Sequence, residues 1–291
     1  MNGTPHRPLI GILLVLLSVV IQPVMDAATK TLVADYPVLE VVWGRYFFHM
    51  ALLVPLVVLR EGVPALLPTN LGMQLLRSFL LLGASVTFIF SLRSTPMAEA
   101  LALAFIGPLV TVASAALLLK EPVGPHRWSA VAIGFVGVLL ILRPSGEALT
   151  LGTAAALASG LFYGLFLTST RRVAGGGASP LVTLAFTGLV GGIVLTLIMP
   201  FVWVAPTPTD WGLMAFSGAA AAAGHFLLIV AYGYAPAPVL APFGYAKIIN
   251  MTFMGYLVFG DFPDSWSWAG IAVLIASGVY ISLREAKAKK A

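Results

Sequence analysis

The chain breaks at proline, glycine and charge clusters into ten long apolar runs, near 9–31, 37–59, 72–92, 97–119, 127–143, 151–170, 180–203, 211–232, 236–259 and 266–283. About 20 mostly apolar residues in helical form cross the roughly 30 Å hydrocarbon core of a bilayer. Backbone inside lipid must satisfy its own hydrogen bonds, so such runs predict helices. The expected fold is an all-α integral membrane protein of ten transmembrane helices. The connections are short and leave no room for a soluble domain. Composition agrees, since 59% of the 291 residues are hydrophobic and only 9% are charged, too few for a soluble globule.

Several classes of chemistry fall away. Cysteine is absent and the four histidines show no paired metal-binding spacing, so neither a thiolate metal site nor a cofactor is expected. There is no phosphate-binding glycine loop and no Gly-x-Ser-x-Gly, so the chain does not read as an enzyme or an ATP-driven pump. No filter-like sequence favours a channel. The net charge of +5 would suggest a nucleic-acid partner in a soluble protein, but the basic residues sit in the gaps and at the C-terminus, where a membrane flank explains them. The first run, with Asp26 and Lys30 and no small-residue cleavage site, is expected to stay as the first helix rather than be removed as a signal peptide.

The distribution of positive charge sets the expected orientation. With the N-terminus inside, the cytoplasmic flanks hold eleven basic residues: Arg7, Arg60, Arg77, Lys120, Arg127, Arg171, Arg172, Arg284, Lys287, Lys289 and Lys290. The outer side holds Lys30, Arg93 and Arg143. Both termini are therefore expected in the cytoplasm. Sliding the chain by 140 residues aligns 94–105 with 234–245, placing Pro96 on Pro236, Glu121 on Asp261 and Trp128 on Trp268. Two halves follow, 1–146 and 147–291, each of five helices. An odd number per half inverts the second relative to the first, the arrangement from which alternating-access carriers are commonly built.

Charge within hydrocarbon costs on the order of 3 kcal/mol or more, so charged residues inside runs are the candidate site. Lys247 falls roughly 16 Å into the ninth run, near the midplane. It reads either as a contact for a substrate carboxylate or as a structural cation paired to another helix, with Asn250 on the same face. Arg45 and His49 lie one turn apart on the second helix, and His49 is near mid-depth, where it can gate protonation or simply bond a neighbour. Asp26 lies deep enough to pair with Arg45 or to bind a substrate amine, whereas Lys30 is expected to reach outward. Glu40 and Glu99 read mainly as vestibule or helix-end residues. His225 follows a run of small residues that permits close helix contact. Phe79, Tyr163, Phe243 and Tyr245 are aromatic at mid-depth, by default packing residues and otherwise walls of a pocket. Pro236, Pro238 and Pro242 in the ninth run and Pro108 in the fourth interrupt their helices and free carbonyls that can line a cavity.

The stretches DAATK (26–30), PVLEVVWGRYF (37–47), SLRSTPMAEALALAFIGPL (91–109), LKEPVG, FGDFPD and WAGIAVLIASGVYI (268–281) come in an order and spacing that resembles the EamA-type family of the drug/metabolite transporter superfamily. The resemblance covers nearly the whole chain. It implies a multi-pass carrier in a bacterial inner membrane, working by alternating access around a cavity lined mainly by the first, third, fourth, sixth, eighth and ninth helices. Export of aromatic or neutral amino acids is the expected branch. Uptake of a nucleoside-like metabolite such as S-adenosylmethionine and drug export are the alternatives, and a non-transporting scaffold or channel is the rival from another class. The candidate substrate contacts are Lys247, Asn250, Tyr245, Phe243, His225, Tyr163, Phe79 and Glu99, with Asp26, Arg45 and His49 for gating or coupling. The expected partners are a small-molecule substrate, the bilayer and, as a coupling ion, protons, around a monomer or weak dimer.

Overall fold

The structure, a computed structural model, describes residues 7–68, 70–118, 120, 124–143, 149–174, 179–235 and 237–288. Regular structure among the described residues is helical: α1 (Pro8–Asp35), α2 (Val38–Glu61), a 3-10 turn (Val63–Leu66), α3 (Leu71–Ser91), α4 (Met97–Ala104), α5 (Ile106–Leu118), α6 (Pro125–Leu142), α7 (Leu151–Ala174), α8 (Pro180–Val202), α9 (Pro208–Tyr234), α10 (Ala237–Gly244), α11 (Ala246–Phe259) and α12 (Ser265–Ala288). Seven stretches are long and apolar enough to cross a membrane, namely α1, α2, α3, Met97–Leu118, Leu151–Thr170, α8 and α9. The remaining expected runs hold two shorter apolar helices, Trp128–Leu142 and Ser265–Tyr280, and the pair α10 and α11.

The fourth and ninth runs are each two helices. Phe105 closes α4 by donating its backbone N–H to the Leu101 and Ala102 carbonyls, and α5 restarts at Ile106. Pro108 then falls in the first turn of α5, where a missing N–H breaks no bond. In the ninth run Pro242 lies inside α10, the Tyr245 N–H bonds the Pro242 carbonyl, and α11 starts at Ala246. The two break residues are the ones that the 140-residue offset equates. Their rings meet at 5.3 Å between centroids. Pro236 and Glu121, which entered the same alignment, lie outside the described residues, as do Lys289, Lys290 and the side chains of Pro238, Arg127, Arg171 and Arg172.

Packing places α1 against α9, α2 against α8 and α9, α3 against α7, and α6 against α12, while α11 reaches both α1 and α4. The α2–α9 approach depends on Gly218, where an added Cβ would stand 2.9 Å from the Arg45 carbonyl oxygen. Without a hydrophobic force between helices in lipid, such close backbone contact supplies the dispersion energy of association. Inside α1, Pro23 has no N–H and so leaves the Val19 carbonyl without its helical donor. The Asn250 side chain fills that place, donating Nδ2–H to the Val19 oxygen at 3.0 Å.

One end of the bundle is tied by polar contacts. Lys30, expected to reach outward, pairs with Asp261 and lies 4.8 Å from the centre of the Phe259 ring. Arg143 pairs with Asp264, and the Ser267 backbone N–H, then the Ser267 hydroxyl and the arginine, hold the Asp264 carboxyl below the usual carboxylate range. Glu99, expected in a vestibule, accepts from Ser267 Oγ at 2.7 Å. Glu40, read the same way, is fully buried and accepts the Val204 N–H at 3.0 Å. Arg77, assigned from sequence to a cytoplasmic flank, is 5% exposed and packs within the bundle. It lies far enough along α3 for α7 and α8 to cover it.

The Pro23–Asn250 relation predicts a rescue. Asn250→Ala leaves a buried carbonyl unbonded, at a cost of about 1–3 kcal/mol, and lowers the unfolding temperature in detergent. Adding Pro23→Ala restores the helical donor and recovers part of the loss in the same thermal scan.

Candidate substrate cavity

A cavity of about 210 Å³ opens between α1, α2, α3, α4, α7, α8, α9 and α11. Its polar wall is built where α1 and α11 cross. Asp26, 1% exposed, stands between two cations, with Oδ2 3.3 Å from Lys247 Nζ and Oδ1 3.6 Å from Arg45 Nη1. Neither carboxylate oxygen has a hydrogen-bond donor among the described residues. The contacts are electrostatic, and the oxygens' bonding capacity is unused, which for a buried carboxylate marks a place for a further donor.

Local structure holds these groups. Lys247 is the second residue of α11, set directly after the Tyr245 break. Its Nζ donates to Gln22 Oε1 at 3.0 Å, Gln22 Nε2 donates to Ser18 Oγ at 2.8 Å, and Ser18 Oγ donates to the Gly224 carbonyl at 3.0 Å. This chain runs along one face of α1, since Ser18, Gln22 and Asp26 are spaced by four. On α2, Arg45 and His49 are likewise one turn apart. The His49 ring stands edge-on to His225, 6.3 Å between centroids, in room left by Gly188, whose added Cβ would lie 2.7 Å from the His49 ring. His225 Nδ1 lies 2.8 Å from the Ala221 carbonyl. A carbonyl only accepts, so Nδ1 carries the proton and Nε2 is free to accept.

The rest of the lining is largely aromatic and weakly polar. Tyr46, Phe88, Phe105 and Tyr163 belong to it together with Ser85, Ser159 and Thr187. The Tyr46 and Ser85 hydroxyls bond each other at 3.1 Å, and Ser159 donates to the Ala84 carbonyl at 2.9 Å.

Of the residues singled out from sequence, the structure gathers Asp26, Arg45, His49, Tyr163, His225 and Lys247 around one cavity. The others do not line it. Asn250 faces α1 and is bonded to Val19. Tyr245 sits at the helix break, against Phe105 and close to Gly278. Phe243 packs on the cluster of Val15, Val19 and Leu240. Phe79 is 49% exposed and is not among the lining residues. Glu99 belongs to the tied end. Phe88 and Phe105, aromatic at mid-depth in the sequence, also line the cavity, whereas Gln22, Ser85 and Thr187 were not singled out as site residues; the four-residue polar spacing on α1 was the sequence signal for Gln22.

A mid-depth, charge-bearing cavity in a helical membrane bundle, reached by broken helices, defines a multi-pass membrane transporter. The chain belongs to the EamA-like transporter family, which it matches over residues 9–143 and again over 150–284. It is 27% identical over 99% of its length to 97% of the S-adenosylmethionine uptake transporter of Rickettsia prowazekii (strain Madrid E). A riboflavin transporter of Brucella anthropi is 29% identical, with 88% of this chain matching 90% of that protein. A second riboflavin transporter, of Rhizobium johnstonii, is 25% identical over 98% of this chain and 95% of its own length. A solved crystal structure shares the fold with a TM-score of 0.66 at 18% identity, over 95% of this chain and 96% of the other.

Asp26→Asn leaves Arg45 and Lys247 facing each other without their anion. Breaking a buried pair in this way costs on the order of 3 kcal/mol, so the variant unfolds at lower temperature in detergent. Adding Lys247→Gln to it recovers stability, a result that scanning fluorimetry reads directly.

Proposed function

We propose that the chain takes up a nucleoside-like metabolite across a bacterial inner membrane. The observation that carries this reading is a cavity lined both by aromatic rings, Tyr46, Phe88, Phe105 and Tyr163, and by the Asp26, Arg45 and Lys247 cluster. S-adenosylmethionine and riboflavin, the compounds for which the relatives are named, share a fused nitrogen heterocycle bearing a hydroxylated five-carbon unit, a ribose ring in the first and an open ribityl chain in the second. Aromatic walls suit the ring by stacking. The ion cluster suits a polar tail, the cations facing an oxyanion and Asp26 a donor. An amino acid uses the same cluster, but the relatives' names favour the nucleoside-like alternative over amino-acid export. Counterflow of labelled S-adenosylmethionine, riboflavin and phenylalanine into preloaded proteoliposomes separates the two. Saturable exchange of a nucleoside-like compound, reduced at least about tenfold by Lys247→Ala, is expected, since one lost charge-assisted contact of about 1.5–3 kcal/mol has that size. Exchange of phenylalanine alone restores the amino-acid reading.

The transport cycle we infer is alternating access by two inverted halves, 1–146 and 147–291. The paired breaks at Phe105 and Tyr245 support it, and the family match falls once in each half. Lys30 with Asp261 and Arg143 with Asp264 then form the gate at one end. Because the sequence has no cysteine, a single cysteine at Leu81, which lines the cavity, reports access cleanly. Asp261→Asn speeds its labelling by an impermeant maleimide from the gated side, and the swap Lys30→Asp with Asp261→Lys slows it again. Equal rates in all three proteins remove the gate.

A further inference from the structure

Arg77 is a buried cation without a buried anion. Its Nε donates to Thr170 Oγ1 at 2.8 Å, and Nη1 donates to Gln74 Oε1 at 3.1 Å, the Thr183 carbonyl at 3.2 Å and Thr187 Oγ1 at 3.0 Å. The Phe166 ring faces the guanidinium at 4.9 Å. Every one of these acceptors is neutral, and among the described residues no carboxylate lies within ion-pair distance of it. Hydroxyls and a ring face orient the guanidinium but do not cancel its charge. Burial of a charge in this state is costly, and a site that retains it commonly meets the opposite charge from outside.

Thr187 connects this arginine to the cavity. It accepts from Nη1 and also lines the cavity next to Gly188. Leu81, one turn along α3 from Arg77, lines the cavity as well. Among the described residues, the cations Arg45, Lys247 and, behind Thr187, Arg77 thus stand against one carboxylate, Asp26. Glu40 and Glu99 do not correct the balance, because they face Val204 and Ser267.

We infer that the cavity selects metabolites carrying an oxyanion, a carboxylate or a phosphate, and that Arg77 is a specificity-determining residue for that charge. This rests on the nucleoside-like reading for the ring, while the charge itself can be measured without any substrate. A Leu81→Cys protein is treated with a negatively charged sulfonatoethyl and a positively charged trimethylammonioethyl methanethiosulfonate, and the ratio of rates is divided by the ratio for a free thiol. An excess of positive potential of the size found in charged clefts gives a ratio of about ten in favour of the anion. Arg77→Gln lowers this ratio several-fold and Arg77→Lys keeps most of it. Where Arg77→Gln fails to fold, Asp26→Asn raises the ratio and Lys247→Gln lowers it. A ratio of one, or faster reaction of the cation, overturns the inference, and a high ratio that Arg77→Gln leaves unchanged overturns the role of Arg77.

Competition in the counterflow assay then identifies the oxyanion. Riboflavin 5′-phosphate competing better than riboflavin names a phosphate. S-adenosylhomocysteine competing better than its carboxamide names a carboxylate, and its competing better than S-adenosylmethionine shows that the sulfonium charge is disfavoured. Neutral or cationic members competing equally well overturn the charge selection. Absence of exchange with every such compound fails the nucleoside-like reading, and the reagent ratio still decides the charge.

Discussion

The carboxylate of Asp26 is the contact on which the centre of the structure depends. It is buried in a chain whose surroundings are hydrocarbon, and it offsets two cations that three helices bring together: Asp26 from α1, Arg45 from α2 and Lys247 from α11. Each of these groups alone at this depth is unfavourable by several kcal/mol. Together they cancel two of three charges and draw α11 onto α1, where Asn250 and the carbonyl freed by Pro23 add a second bond between the same helices. Lys30 and Asp261 add a third at the end of the bundle. The α1–α11 seam is therefore held by polar contacts of opposite sense at different depths, unlike the α2–α9 contact, where Gly218 allows backbone to approach backbone.

Such a seam connects the cavity to the end of the bundle tied by ion pairs. Lys247 lies in α11 and Asp261 just beyond its end, while Asp26 and Lys30 lie in α1, so a ligand that competes for Lys247 weakens one of the attachments between the two helices. The breaks at Phe105 and Tyr245 keep the lower and upper parts of the fourth and ninth runs from acting as single rods. A change at mid-depth can then reach α11 without requiring α10 to move by the same amount, the mechanical use of a broken helix in a carrier fold.

Which polar residues interrupt the apolar runs was legible in the sequence, and the rotation of the helices was not. Asp26, Arg45, His49, His225 and Lys247 stand out because a polar group in a 20-residue apolar run has few explanations, and all five line the cavity. Phe79 and Phe243 lie at similar depth but on other faces, and nothing local fixes which face of an all-round apolar helix meets lipid or protein. Asn250 shares a face with Lys247 but is one turn further along, and what decided its partner was a proline 227 positions away in the sequence, on another helix. Arg77 was misread for a different reason. Counting positive charge treats a residue near a run's end as a flank, yet acceptors on α7 and α8 were present to bury it, and only the packing of α3 against them reveals it.

The charge balance bears on how far names carry over between relatives at 25–29% identity. A family fold sets where a cavity lies and which helices surround it. The cargo depends on a handful of side chains, and these can change while the scaffold persists. S-adenosylmethionine bears a sulfonium charge and riboflavin none, so one electrostatic design does not serve both equally well. On the inference drawn from Arg77, three cations against one carboxylate among the described residues disfavour a cationic cargo, while the aromatic lining favours a planar ring. The ring and the charge are thus separate constraints, written by different residues, and a substrate must satisfy both.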